Sequence, residues 1–218
     1  WLEDLVRAGL GNLPAQPAGF WEAQAARLVD AQAPGLARRV RELGTVVASG
    51  EGWPGRLLDR LGRLHLLLEA YRRLDAQTPE LQAEIRSQIG WTQDQEALRG
   101  QPGVRDRWAV LAVRIGEEDR LRVQRSWLWG LGSHMPALQL DFAPPGGSFQ
   151  SALVPGSCFA GELVFWPGPF PLRALVKVQG AAEPLAALPG YPSLAVALRA
   201  YGEALARNPW LERLAMPL

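Results

Sequence analysis

A chain of 218 residues with 48% hydrophobic and 21% charged residues has the make-up of a folded globular protein, which excludes wholesale disorder. Its 23 basic and 22 acidic residues leave a net charge of +1, so no global field draws it onto DNA or an anionic membrane. No apolar run approaches the roughly 18 residues of a membrane span.

The basic set is lopsided: Lys177 is the one lysine and the other 22 are arginines. Arginine-favouring codons explain this, and so does selection for planar contacts to phosphate or carboxylate. A single cysteine, Cys158, excludes an internal disulfide and suits a cytoplasmic protein. Trp1 already sits within a helical pattern (Leu2, Leu5, Val6, Leu10), so the chain reads as a piece of a longer protein.

The first hundred residues have helical periodicity. Phe20, Trp21, Ala25, Leu28 and Val29 recur at helical spacing, and Pro34-Gly35 breaks the chain before a second helix over 36–48. A turn at 50–54 precedes the strongest helix, about 55–75, with the apolar stripe Leu57, Leu58, Leu61, Leu64, Leu68 and Tyr71. Thr78-Pro79 is an N-cap followed by proline in the first turn and predicts a helix to about Ile89. Helices this close in sequence predict a small antiparallel bundle.

After Gly103 the period becomes two. Strands are predicted over 108–115, 120–129, 138–142, 149–154, 159–166 and 172–178, with 116–119 as a hairpin loop and Pro144-Pro-Gly-Gly147 as a turn. Gly190-Tyr-Pro-Ser193 caps a last helix over 194–206, which Asn208-Pro209 ends. The fold class is therefore α+β. A helical domain (1–103) precedes a roughly six-stranded antiparallel sheet or small barrel (104–180), and a C-terminal helix (181–218) packs back on the body.

Stretches at 20–39, 69–74, 89–93, 120–130 and 167–175 carry a family resemblance, with Ile89-Gly-Trp-Thr-Gln93 and Arg120-Leu-Arg-Val-Gln-Arg-Ser-Trp-Leu-Trp-Gly130 among them. The chain resembles the region of bacterial SWIM zinc-finger proteins that follows the finger. The finger's Cys-x-Cys…Cys-x-His ligands are absent here, so the resemblance implies zinc only for an upstream finger and no cofactor in this chain. It further implies an adaptor role beside a MoxR-type AAA ATPase and a von Willebrand A-type protein.

Catalytic candidates are weak. His65 lies by a leucine stripe, His134 lies in a Gly-Ser-His-Met-Pro turn, and Cys158 precedes an aromatic strand, where a small buried hydrophobe is expected. Glu117, Glu118 and Asp119 belong to a hairpin turn. Glu22 and Asp30 stand two turns apart on one helix, about 12 Å, which is wide for a carboxylate pair. Neither a phosphate-binding loop nor Gly-x-Ser-x-Gly occurs. The expectation is a non-enzymatic module; an enzyme with an unrecognised site is the weaker alternative.

Binding candidates are better. Arg56, Arg60 and Arg63 form a stripe on the long helix, with Asp59 placed to pair with Arg63. Arg120, Arg122, Gln124 and Ser126 share one strand face; Leu121, Val123, Arg125, Trp127 and Trp129 share the other. Arginine beside aromatics suits single-stranded nucleic acid, but apolar neighbours make the tryptophan face core and leave the arginine face wet. The proline-stiffened loop Trp166-Pro-Gly-Pro-Phe-Pro171 presents Phe170 for a protein contact or closes one end of the sheet. The sequence thus favours an adaptor that binds a protein partner, with a nucleic-acid-binding module as the alternative.

Overall fold

The computed structural model describes every residue except Ala18, Thr92, Asp119 and Arg120. The chain divides into two units, Trp1–Gln93 and Asp94–Leu218.

The first unit is helical: α1 (Leu2–Arg7), α2 (Gly19–Asp30), α3 (Pro34–Val47), α4 (Trp53–Arg72) and α5 (Pro79–Ile89), with 3-10 turns at Leu10–Ala15 and Leu74–Ala76. Proline in the first turn starts α3, α4 and α5, where its missing N–H costs nothing. Thr78 Oγ1 accepts the Leu81 N–H at 3.4 Å, the cap expected of it. The core gathers Leu5, Leu13, Leu43, Leu57 and Leu61, with Phe20 and Trp21 packed against it. Trp21 covers Gly44, where a Cβ would stand 2.7 Å from the indole. The stripe of α4 is turned from the expected one. Leu57, Leu61, Leu64 and Leu67 are buried, while Leu58 is 54% exposed and Tyr71 lies edge-on to Trp91. Leu58 follows Leu57 by one residue, about 100° around the helix, outside a stripe of ordinary width.

The second unit opens with the short α6 (Gln95–Arg99), which Asp94 caps by accepting the Glu96 N–H at 2.9 Å. Five strands follow: β1 (Val104–Glu118), β2 (Leu121–Gly130), β3 (Pro136–Ala143), β4 (Ser157–Phe165) and β5 (Ala174–Pro184), then α7 (Leu194–Arg207). They form one sheet in the order β3-β2-β1-β4-β5, with every neighbour antiparallel. The outer strands approach each other, because Leu138 of β3 bridges Arg173 and donates its N–H to Leu172 O at 2.7 Å. The sheet thus curls toward a barrel and touches at one bridge.

The strand expected over 149–154 is not one. Its backbone bonds to side chains instead: Gln124 Nε2 donates to Ser151 O at 3.0 Å, and Asp141 accepts the Ser151 N–H at 2.8 Å. Leu153 seals the main cluster of Trp108, Val110, Leu128, Phe159 and Leu163. On the opposite face, α7 and the segment after it cover Trp127 and Leu138 through Ala204 and Leu211. Among the described residues no helix is long and apolar enough to cross a membrane.

Candidate functional site

A concavity lies on the Trp127 face of the second unit. After α7 the chain returns along the sheet, anchored by buried Asn208, whose Oδ1 accepts the Trp210 N–H at 3.1 Å. Further on, Tyr191 donates its N–H to Pro217 O at 2.8 Å. Between this returning segment, Tyr201 of α7 and strands β1 and β2 runs a groove of about 820 Å³.

Its apolar lining includes Leu111, Ala112, Trp127, Leu188, Leu214 and Met216. The pairing Val110↔Leu128, Ala112↔Trp127 leaves Leu111 as an extra residue in β1, a bulge that puts two consecutive side chains on the groove. The polar lining is mostly cationic: Arg114, Arg125 and Arg213, with Glu212 and Tyr201. Arg114 of β1 stands directly opposite Arg125 of β2. Like charges at a cross-strand pair repel, so the arrangement carries a local cost. Glu118 offsets part of it by a short contact to Arg125 Nη2, and the Arg125 side chain is only 15% exposed. The side chains of Arg114 and Arg213 make no hydrogen bond or ion pair among the described residues.

The residues singled out in the sequence are scattered. Arg120 lies outside the described residues. Gln124 is 6% exposed and Ser126 is 1%, so this side of β2 is interior, not wet. The reason is Leu128, which continues the same alternating set into the main cluster. Arg122 donates to Gly147 O at 3.0 Å and lies 5.0 Å above the Phe149 ring, pinning the 144–151 loop. Trp129 and Val123 are buried as expected of the tryptophan face, with Trp129 edge-on to Tyr191 at 5.7 Å.

On α4, Arg56 donates to the Ser49 hydroxyl at 2.9 Å, and Arg63 pairs with Asp59 at 3.1 Å. Arg60 is exposed on the same helix. Trp166 packs against Leu98, Val164 and Leu175 beneath the Arg173 guanidinium, 4.3 Å from its ring. Phe170 joins the α7 cluster below Arg207. Both rings of that loop are thus engaged within the unit. His65 and His134 are exposed, and Cys158 is buried with Arg107 Nη2 at 3.3 Å from Sγ.

The carboxylates with shifted titration serve the fold. Bonds from Arg105 and Lys177, with the Gly103 N–H, hold Glu162 down at about 2 against the desolvation that opposes them. Burial works against ionised Asp106, but the Ser133 hydroxyl and the N–H groups of Ser133, Gly132 and Arg107 outweigh it and lower the carboxyl. Glu22 is lowered by Arg41, which grips it with two bonds of 2.8 Å. Burial lowers Arg173, and burial together with Glu203 raises Tyr191.

Sequence comparison bears on the helical unit. Residues 1–89 match the model of the SWIM-associated four-helix bundle domain. The likeness is to a SWIM-associated region and covers less than half of the chain. The matched SWIM-associated bundle takes in α1 through α5 and ends where α5 does; the sheet unit lies beyond it. No curated protein and no solved structure matches the chain. The described residues do not fit a SWIM zinc site: no group of three or more His, Cys, Asp or Glu among them is placed to hold a metal, and Cys158 lies beside a guanidinium.

The groove escaped the sequence reading. Arg114, Tyr201 and Arg213 are far apart in the chain, and the bulge that aims Leu111 has no local composition signal. The one available hint was the charge at Arg125 within an otherwise apolar strand face.

Proposed function

We propose that this chain is a non-enzymatic module of a SWIM-associated protein and that it docks a protein partner in the groove on its sheet unit. The observation that carries this is the open apolar lining. Leu188 on its wall is 69% exposed, where a buried contact with a partner would recover the cost of hydration. The shifted carboxylates Glu22, Asp106 and Glu162 each answer a structural partner, which supports a binding role over a catalytic one. The family resemblance makes a MoxR-type AAA ATPase and a von Willebrand A-type protein the first candidates. The test is affinity capture with the full-length protein, comparing the natural sequence with Leu188→Asp and Met216→Asp. Loss of a co-purifying protein in both supports docking in the groove; undiminished capture rejects it.

A further inference from the structure

Resting on that reading, we infer that the groove takes an acidic, apolar peptide segment of the partner, with its carboxylates seated between Arg114, Arg125 and Arg213. The argument begins with the register of β1 and β2. A sheet that places Arg114 directly opposite Arg125 stabilises neither through the other, and isolated sheets avoid such pairs. Arg125 has Glu118; Arg114 has no such partner among the described residues, and neither has Arg213 on the facing wall. The two therefore offer planar donors to one groove, and a guanidinium binds a carboxylate through two parallel bonds. A carboxylate entering there removes the Arg114–Arg125 repulsion, so part of its binding free energy is relief of a cost already present in the free protein.

The rest of the lining selects the kind of anion. Leu111, Ala112, Trp127, Leu214 and Met216 need apolar side chains opposite them, which a sugar-phosphate backbone does not supply. Glu212 lies in the same groove and Glu118 flanks Arg125, so a run of phosphates would meet repulsion that a spaced carboxylate avoids. A chain that alternates acidic with apolar side chains supplies both charge and hydrophobicity. This is a protein segment, and its acidic character sets its orientation and specificity.

The probe is a short fluorescein-labelled peptide of alternating leucine and glutamate, with a second version carrying glutamine for each glutamate. Anisotropy is measured on the full chain at about 50 and about 300 mM salt, a range over which screening of exposed charge changes strongly. We expect the glutamate peptide to bind at least about tenfold tighter than the glutamine one at low salt. The advantage shrinks at high salt and disappears in the Arg114→Gln/Arg213→Gln variant. These two side chains are exposed and unpaired among the described residues, and circular dichroism checks that the variant keeps its fold.

Equal binding of the two peptides overturns the acidic specificity while leaving a protein-docking groove in place. Failure of both peptides overturns the inference as well, and whether the docking reading falls with it is read from the capture experiment above. Tighter binding of an oligothymidine that is lost in the same variant overturns it in favour of nucleic acid.

Discussion

Gly35 and Gly90 meet backbone against backbone where the first turn of α3 crosses the end of α5. A Cβ on Gly35 would stand 2.5 Å from Gln88 O, and one on Gly90 would stand 2.5 Å from Gly35 N. Neither obstacle is a flexible side-chain tip, so the helices themselves must part. Gly90 also holds φ at +104°, a conformation that favours glycine. Gly35→Ala should cost about 1–3 kcal/mol by overpacking, and Gly90→Ala more, because strain adds to the clash. Urea midpoints followed by circular dichroism measure both. A loss below half a kilocalorie in Gly90→Ala would show that the crossing is looser than described.

The opposite sign is expected where a helical glycine faces open space. Nothing lies within 4 Å of a Cβ built on Gly62 of α4 or Gly202 of α7. Both have ordinary helical backbones, so alanine there should add about 0.5–1 kcal/mol through reduced freedom of the unfolded chain. The two substitutions lie in different units, so each should raise the transition of its own unit.

These glycines also show how far the sequence was legible. Gly35 is visible as a break before a helix, but its contact with Gly90 depends on a packing 55 positions away. Alternation in β2 correctly groups Arg122, Gln124 and Ser126 on one face and Trp127 with Trp129 on the other. It does not say what covers each face. Leu153 and the 144–151 loop close over the first, and α7 with the returning C-terminal segment covers the second. Both covers come from later in the chain, so the expectation of a wet arginine face fails for Gln124, while Trp129 is buried and Trp127, half-buried, lines the groove. The residues 149–154 alternate as a strand does, yet their backbone satisfies Gln124 and Asp141 instead of a ladder.

Glu162 ties the entry of β1 to β4 and β5. Its oxygens meet Arg105 at 2.9 Å, Lys177 at 3.2 Å and the Gly103 N–H at 3.1 Å, and the side chain is 9% exposed. Its carboxyl titrates near 2 when folded, below the roughly 4.3 of an unfolded glutamate. The folded state therefore binds the proton less readily, and the stabilisation is present above about pH 4.3 and lost as pH falls toward 2. Thermal melts should show Glu162→Gln destabilised at neutral pH, with the gap to the natural sequence closing between pH 4.3 and 2. A gap independent of pH would mean that packing, not charge, is what Glu162 supplies.

Asp106 organises the turn between β2 and β3. Its two oxygens accept the Gly132 N–H at 3.0 Å and the Ser133 N–H at 2.7 Å. A side chain at 130 would force these groups to shift, since a Cβ there would lie 2.2 Å from Ser133 Oγ and 2.5 Å from Asp106 Oδ2. Asp106→Ala should cost about 1–2 kcal/mol, the scale of charge-assisted bonds at a partly exposed site. Amide hydrogen exchange provides the local readout, with protection falling at 131–134 first. Unchanged exchange there would reject Asp106 as the organiser of the turn.

The proline-rich loop 166–171 joins two packed rings, and this decides what its substitution does. Phe170 lies on the cluster of Leu172, Ala204 and Leu211 that holds α7 to the sheet, and Trp166 lies on Leu98, Val164 and Leu175. Phe170→Ala should cost about 2–4 kcal/mol, toward the lower part of the usual range because the ring is only partly buried. It should also loosen α7, so proteolysis near 190–207 would accelerate. Since α7 carries Tyr201 of the groove, binding of the acidic peptide should weaken in step with stability. A variant that loses partner binding at unchanged stability would instead make Phe170 a direct contact, and the loop would be a second docking element.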